Sequence, residues 1–179
     1  PYDFKQYGAT YGSTAPLGTG NGMFYTIQPT IDASLVNTAS KVYNGNTASI
    51  NLATANYAIT SGAVGGDVLS FTGTLPSTGT YASKDVGTGI SITSSVIPVG
   101  NLSALSSTGK PVYGYGPSSL TATGNIGIIT KLQLTSLTGL TANDRSYNQL
   151  TGATLNTGAA VFGGKVSGDT LTIATATSP

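Results

Sequence analysis

Short segments in which apolar and polar residues alternate constrain the fold of this chain more than any other feature. Four segments show the alternation, at residues 68–71, 89–93, 132–137 and 170–174. A period of two places one kind of side chain on each face of a strand. Turn-forming residues lie before and between the segments, among them Asn44-Gly45 and Gly168-Asp169. This pattern predicts an antiparallel β-sandwich or barrel, and the only helical turn considered is at residues 102–105.

The composition favours the same all-β class. Only 7% of the residues are charged, where an ordinary globular domain has about 25%. All six acids are aspartates, and the many Thr, Gly, Ser and Asn residues suit strands and turns better than helices. A surface that is hydrated by hydroxyls and amides instead of charges is common in secreted fibres, so we expect an extracellular location.

Several functional classes are disfavoured. The net charge is +1 and the seven basic residues form no cluster, so we expect no nucleic-acid partner. No apolar run approaches the roughly 18 residues of a membrane-spanning helix, so we expect no membrane insertion. The chain has no His and no Cys, which leaves few residues for acid–base catalysis or zinc binding. We therefore predict that the chain is not an enzyme and has no catalytic residue, no metal site and no cofactor.

An internal repeat indicates how the chain is organised. Residues 40–44 recur as residues 144–148, and Tyr43 and Tyr147 are 104 residues apart (147 minus 43). Each copy is followed by a Gly-Asp turn, and Asp67 and Asp169 are 102 residues apart (169 minus 67). Solenoid repeats are about 20 to 50 residues long, so a period near one hundred predicts tandem domains.

The repeat divides the chain into three parts. Residues 1–29 are predicted to be a cap or the tail of a preceding unit, and residues 30–132 a full β unit. Residues 133–179 are predicted to be a second unit that is shortened or truncated. The predicted fold is thus all-β, built from tandem antiparallel β-sandwich-like repeat units.

The tyrosines are the candidate ligand-binding residues. Tyr113 and Tyr115 lie in a Tyr-Gly-Tyr-Gly-Pro segment, residues 113–117. Exposed tyrosine rings stack on sugars and are enriched at interfaces, so both are candidates for binding a glycan or a host surface protein. The alternative is that their rings pack at the edge of a sheet. For Tyr43 and Tyr147, which recur at equivalent places, the structural interpretation is favoured.

Three motifs in this order resemble a known repeat. Residues 41–48 resemble the Lys-Val-Tyr-Asp-Gly-Thr-Thr-Ala signature of the YDG repeat, and residues 82–89 are similar to its Lys-Asn-Val-Gly-Thr-Gly segment. Residues 137–144 look like the linker that opens a new unit. The resemblance implies a filamentous-haemagglutinin-like surface adhesin, of the kind that bacteria export by two-partner secretion.

The chain departs from the signature at two kinds of position. The aspartate of the motif is Asn44 in the first copy and Asn148 in the second. The second copy also has Gln149 where the motif has Gly, so a different turn is expected there.

Three functional hypotheses follow. The first is a stalk or spacer that projects a binding region from the cell and whose partners are neighbouring repeat units. The second is a module that itself binds a glycan or a host protein through Tyr113 and Tyr115. The third is a subunit of an extracellular filament, in which copies of the chain exchange strands.

Overall fold

The protein is described by a computed structural model, which covers residues 1–49, 51–116 and 119–174. Pro117 of the Tyr-Gly-Tyr-Gly-Pro segment and residues 175–179 of the predicted second unit lie outside the described residues. The fold is all-β, as the alternating segments predict. Two short 3-10 helices, Thr54–Asn56 and Val99–Asn101, complete the regular structure of the described part. No helix in these ranges has the length and apolar character to cross a membrane.

The described residues from 1 to 132 form fourteen strands, most of them only two to five residues long. In chain order they are β1 (Phe4–Gln6), β2 (Gly22–Phe24), β3 (Asp32–Leu35), β4 (Ala39–Val42), β5 (Ala48–Ser49), β6 (Tyr57–Ser61), β7 (Val68–Phe71), β8 (Gly79–Tyr81), β9 (Gly87–Ser94), β10 (Ile97–Pro98), β11 (Leu102–Leu105), β12 (Val112–Tyr113), β13 (Ser119–Leu120) and β14 (Thr123–Thr130).

The main sheet is built around its two longest strands, β9 and β14, which pair antiparallel. The strand order is β5-β8-β9-β14-β3-β6, and β4 pairs with β14 beside β3. Ile92 on β9 is fully buried and Ile129 on β14 is 1% exposed. The core that they anchor contains Leu35, Ala39, Leu52, Tyr57, Leu75, Tyr81, Ile92, Ile97, Ala122 and Ile129.

The pairing is mixed and not purely antiparallel, which corrects part of the fold prediction. β14 runs parallel to both β3 and β4, and β1 runs parallel to both β2 and β12. The physical reason is that a period-two pattern decides which face of a strand is buried, whereas strands of either direction satisfy it equally well. The predicted tandem arrangement of complete units stays a prediction.

Residues 1–29 are hydrogen-bonded to the unit that follows them. Lys5 on β1 lies opposite Met23 on β2 and opposite Val112 on β12. A second, smaller core forms beside this sheet from Tyr7, Ile31, Val112 and Tyr115. The first residues of the chain are therefore packed on residues more than a hundred positions further along.

The second copy of the repeat forms two small antiparallel pairs. Strand β15 (Ser136–Thr138) pairs with β18 (Val161–Gly163), and β16 (Thr141–Ala142) pairs with β17 (Leu155–Asn156). The β15–β18 pair corresponds to β3 and β6 of the first copy, which pair antiparallel in the same way. None of the described residues from 133 to 174 is buried, so this part has no core of its own.

The individual strand predictions have mixed outcomes. Residues 68–71 and 89–93 are strands, as predicted. Residues 102–105 are strand β11 and not a helical turn, because each residue pairs with one of β7. Residues 170–174 form no strand, and in 132–137 the strand begins only at Ser136. Residues 68–71 form a strand because β11 pairs with them. Residues 170–174 are the equivalent segment of the second copy, and no strand of the described residues pairs with them.

Candidate functional site

The repeated Gly-Asp motif forms a four-residue turn with the same closing hydrogen bond in both copies. We call residues 64–67 the first aspartate turn and residues 166–169 the second. The amide of Asp67 donates to the carbonyl of Val64 at 3.0 Å, and that of Asp169 donates to the carbonyl of Val166 at 3.2 Å. Each aspartate follows a glycine at positive φ, a conformation that glycine adopts without steric cost.

The first aspartate turn is the centre of a buried polar cluster. Lys5 Nζ donates to Asp67 Oδ1 at 2.6 Å. The hydroxyls of Tyr7 and Tyr115 both donate to Asp67 Oδ2, at 2.8 and 3.0 Å. The Asp67 side chain is fully buried and that of Lys5 is 9% exposed. We call these four residues the Asp67 cluster.

The cluster satisfies the polar groups that it buries. The Tyr115 hydroxyl also accepts a hydrogen bond from the amide of Val64 at 3.0 Å. The described residues contain no buried side-chain nitrogen or oxygen without a hydrogen-bond partner. Buried charges are tolerated when they are paired and hydrogen-bonded, and Asp67 meets both conditions.

The electrostatics favour a permanent ion pair over a reactive group. The hydrogen bond to Asp67 raises the pKa of the Lys5 ammonium. Burial, together with the adjacent carboxylate, raises the pKa of the Tyr7 hydroxyl, and burial also raises the pKa of Tyr115. Lys5 therefore stays charged and both tyrosines stay protonated at neutral pH. A nucleophile or general base needs the opposite shift, so the arrangement joins segments and does not activate a residue.

The second aspartate turn lies against the first copy of the repeat. The Tyr43 hydroxyl donates to Asp169 Oδ1 at 3.0 Å, across 126 residues of sequence. This hydrogen bond raises the pKa of Tyr43. Lys165 Nζ closes the turn by donating to the carbonyl of Asp169 at 2.6 Å. A cleft of about 290 Å³ lies at this contact, lined by Tyr43, Val86, Lys131, Leu132, Leu134, Lys165, Val166, Asp169 and Leu171.

Lys41 organises the signature that carries Tyr43. Its ammonium donates to Asn44 Oδ1 at 3.2 Å and to the carbonyl of Asn46 at 2.5 Å. The amide of Asn46 donates to Asn44 Oδ1 at 3.3 Å, which closes an Asx turn. Gly45 lies at the corner with φ +76°. We call residues 43–45 the Tyr-Asn-Gly turn.

The second copy forms the same turn although it lacks the glycine. Arg145 donates to Asn148 Oδ1 and to the carbonyl of Leu150. The amide of Leu150 donates to Asn148 Oδ1 at 3.1 Å. Gln149 takes φ +62°, in the left-handed region that Gly45 occupies in the first copy. The expectation of a different turn is therefore wrong, because the Arg145 bonds and the Asx turn hold the backbone in place.

The tyrosines singled out from the sequence lie in different environments. Tyr115 is 7% exposed and belongs to the Asp67 cluster. Tyr113 is half-buried on β12, and its ring lies edge-on to Phe4 with centroids 6.1 Å apart. The burial of Tyr115 counts against a ligand-binding role for that ring. Tyr43 binds Asp169, whereas Tyr147 is 89% exposed.

Sequence reasoning identified Asp67 only as a turn residue and did not single out Lys5 or Tyr7 as its partners. Lys5 and Asp67 are 62 residues apart, and neither lies in a recognisable motif with the other. The scarcity of charged residues was a signal that could have indicated this pair. A lysine within a strand needs an oppositely charged partner when it is buried, and a chain with few acids offers few candidates. Among the described residues no group of His, Cys, Asp or Glu could hold a metal ion.

Residues 27–104 match the YDG domain family. They are a YDG-type region. The match contains Tyr43 and Val86, which line the cleft, and also the first aspartate turn. The second copy of the signature, at residues 144–148, lies outside the matched residues. No curated protein and no solved structure matches the chain.

Proposed function

We propose that this chain is a spacer segment in the stalk of a secreted bacterial surface adhesin, which projects a binding region from the cell. The observation that carries the proposal is that each aspartate turn binds residues from the segment before its own unit. Asp67 receives Lys5 and Tyr7 from residues 1–29, and Asp169 receives Tyr43 from residues 30–132. Contacts of this kind link successive segments into an extended array.

The remaining features support the same role. A YDG-type region fits the resemblance to long adhesins of the filamentous-haemagglutinin kind. The low charge and the many hydroxyl side chains suit an extracellular fibre. In this proposal the function is mechanical: reach comes from sheets in series, and resistance to bending comes from the contacts between them.

The alternative of a ligand-binding module has less support. One of its two candidate rings, Tyr115, is buried with its hydroxyl fully engaged. Tyr113 alone is half-exposed, and a single ring on a two-residue strand is a small platform for a sugar. The alternative of a filament subunit predicts oligomers that grow with concentration.

Small-angle scattering coupled to size-exclusion chromatography, over a range of concentrations, tests the spacer proposal. A compact chain of this length has a radius of gyration of about 16 Å. We expect a clearly larger value that does not change with concentration. A value near that of a compact sphere would contradict the proposal. A series of oligomers that grows with concentration would support the strand-exchanging filament instead.

A further inference from the structure

We propose that the Tyr-Asn-Gly turn of one repeat unit is the docking site for the aspartate turn of the following unit. The partner is thus the next copy of the same repeat, and the joint between the units has a fixed geometry. The biological purpose of the joint rests on the spacer role proposed above. The contacts that form the joint are observed in the structure and do not depend on that role.

The first contact is polar and specific. Tyr43 is the tyrosine of the signature, and its hydroxyl donates to Asp169 Oδ1 at 3.0 Å. The carboxylate is presented by a closed turn, in which Asp169 binds back to Val166 and Lys165 donates to its carbonyl. A phenylalanine at position 43 would preserve the ring but leave this acceptor without the hydroxyl.

The second contact explains the glycine of the signature. A Cβ atom at position 45 would lie 2.8 Å from Cγ1 of Val166, which is closer than non-bonded carbon atoms approach in proteins. Gly45 therefore has two reasons to be glycine: its φ of +76° and the close approach of the following unit. At Gln149, the equivalent position in the second copy, only the first reason applies among the described residues.

The third contact joins the second family segment to the same place. Val86, from the segment that resembles Lys-Asn-Val-Gly-Thr-Gly, lines the cleft with Tyr43. Leu132 and Leu134, from the connection into the next unit, and Leu171 add apolar surface. Both signature segments of the YDG-type region thus meet at the joint, which gives them a shared physical purpose.

The second copy contains a natural control. Tyr147 is equivalent to Tyr43 and lies in the same kind of turn, yet it is 89% exposed and no described aspartate turn covers it. A change at Tyr147 should therefore leave the joint unaltered, whereas the same change at Tyr43 should loosen it.

The test is a distance measurement between spin labels on the two units of the full chain. The chain has no cysteine, so labels attached to Thr80→Cys on β8 and Val161→Cys on β18 report a single distance; both positions are exposed. We expect a narrow distance distribution by double electron–electron resonance. In the labelled background, Tyr43→Phe and Asp169→Ala should each broaden it, because each removes one partner of the hydrogen bond, and Tyr147→Phe should not.

A broad distribution in the labelled parent would overturn the proposal, and so would a narrow one that neither Tyr43→Phe nor Asp169→Ala changes. Circular dichroism of each variant establishes that the sheets persist. The distance measurement and the scattering measurement can fail independently of each other. A compact molecule with a narrow distribution refutes the spacer and retains the joint, whereas an extended molecule with a broad distribution does the reverse.

Discussion

At the scale of single residues, Asp67 connects the first strand of the chain with the segment around Tyr115. It is fully buried, carries a charge, and accepts hydrogen bonds from Lys5, Tyr7 and Tyr115. Removal of one partner of a buried pair costs more than the pair contributes, because the other charge stays behind without compensation.

We expect Asp67→Ala to lower the free energy of unfolding by about 3–5 kcal/mol, because it leaves the Lys5 ammonium buried and unpaired. Urea unfolding followed by circular dichroism measures the change. Asp144→Ala, at an exposed aspartate, should stay within about 0.5 kcal/mol of the parent. The double variant Lys5→Met with Asp67→Asn should recover part of the loss, because it buries no charge and keeps an oxygen that accepts from the hydroxyls of Tyr7 and Tyr115. A loss of less than 1 kcal/mol in Asp67→Ala would contradict the central role of the cluster.

The same cluster predicts sensitivity to alkali. The pKa values of Tyr7, Tyr115 and Lys5 are all raised in the folded state. Above about pH 10 the unfolded chain loses protons that the folded chain keeps, so the unfolded state binds fewer protons and stability falls as pH rises. Below that pH the contribution is fully present.

We therefore expect the free energy of unfolding to decrease steadily from about pH 10 upwards. In Tyr7→Phe the decrease should be shallower, because one raised tyrosine is removed from the folded state. Tyr147→Phe, at an exposed ring, serves as the control and should keep the parent slope. Denaturant unfolding at a series of alkaline pH values gives these slopes, and equal slopes in all three proteins would refute the assignment.

At the scale of elements, β14 is the strand on which the main sheet depends. It pairs with β9 on one side and with β3 and β4 on the other. Gly127 lies on this strand at a position where two neighbouring groups approach closely. A Cβ atom there would lie 2.6 Å from the Tyr81 ring and 2.7 Å from the carbonyl of Ile90.

Gly127→Ala should destabilise the protein by about 1–3 kcal/mol, since a buried ring and a backbone carbonyl must both move. Gly87→Ala is the matched control. It is also a glycine on a strand of this sheet, but its added Cβ would meet only the Ile90 side chain at 3.8 Å. There the substitution should be neutral or slightly stabilising, because alanine loses less backbone entropy. Similar unfolding midpoints for the two variants would be the contrary result.

At the scale of the whole molecule, burial is distributed unevenly. The core around Ile92 and Ile129 and the smaller core around Tyr7 both lie within residues 1–132. The described residues of the second copy contain none that is buried. Regions with few buried contacts open with the lowest free energies.

Hydrogen exchange followed by mass spectrometry should therefore show a sharp contrast. Amides of β9 and β14 should exchange last, and those of residues 141–160 should exchange first. Fast exchange in residues 141–160 is compatible with a joint at Asp169. The joint fixes the position of the second copy, whereas exchange requires only that the backbone hydrogen bonds within that copy open locally. Equal protection of the two regions would show that the second copy has a core that this structure does not contain.

Some features of the fold follow directly from the pattern of residues. Residues 68–71 and 89–93 alternate with period two and are strands, and the Gly-Asp pairs form turns in both copies. These are local outcomes, because a face or a turn depends only on residues a few positions apart. The similarity of the two signature turns was not predicted, because Gln149 replaces the glycine in the second copy and yet takes a positive φ.

The sequence by itself therefore determined the all-β class, the Gly-Asp turns and the strands at residues 68–71 and 89–93. Only the tertiary structure decided the direction of pairing, the burial of Tyr115 and the partners of Lys5 and Tyr43. The side-chain hydrogen bonds of Tyr115, Lys5 and Tyr43 join residues that are 48 or more positions apart. A period-two pattern carries no information about which distant strand or charge will meet it, and that choice is made when the whole chain packs.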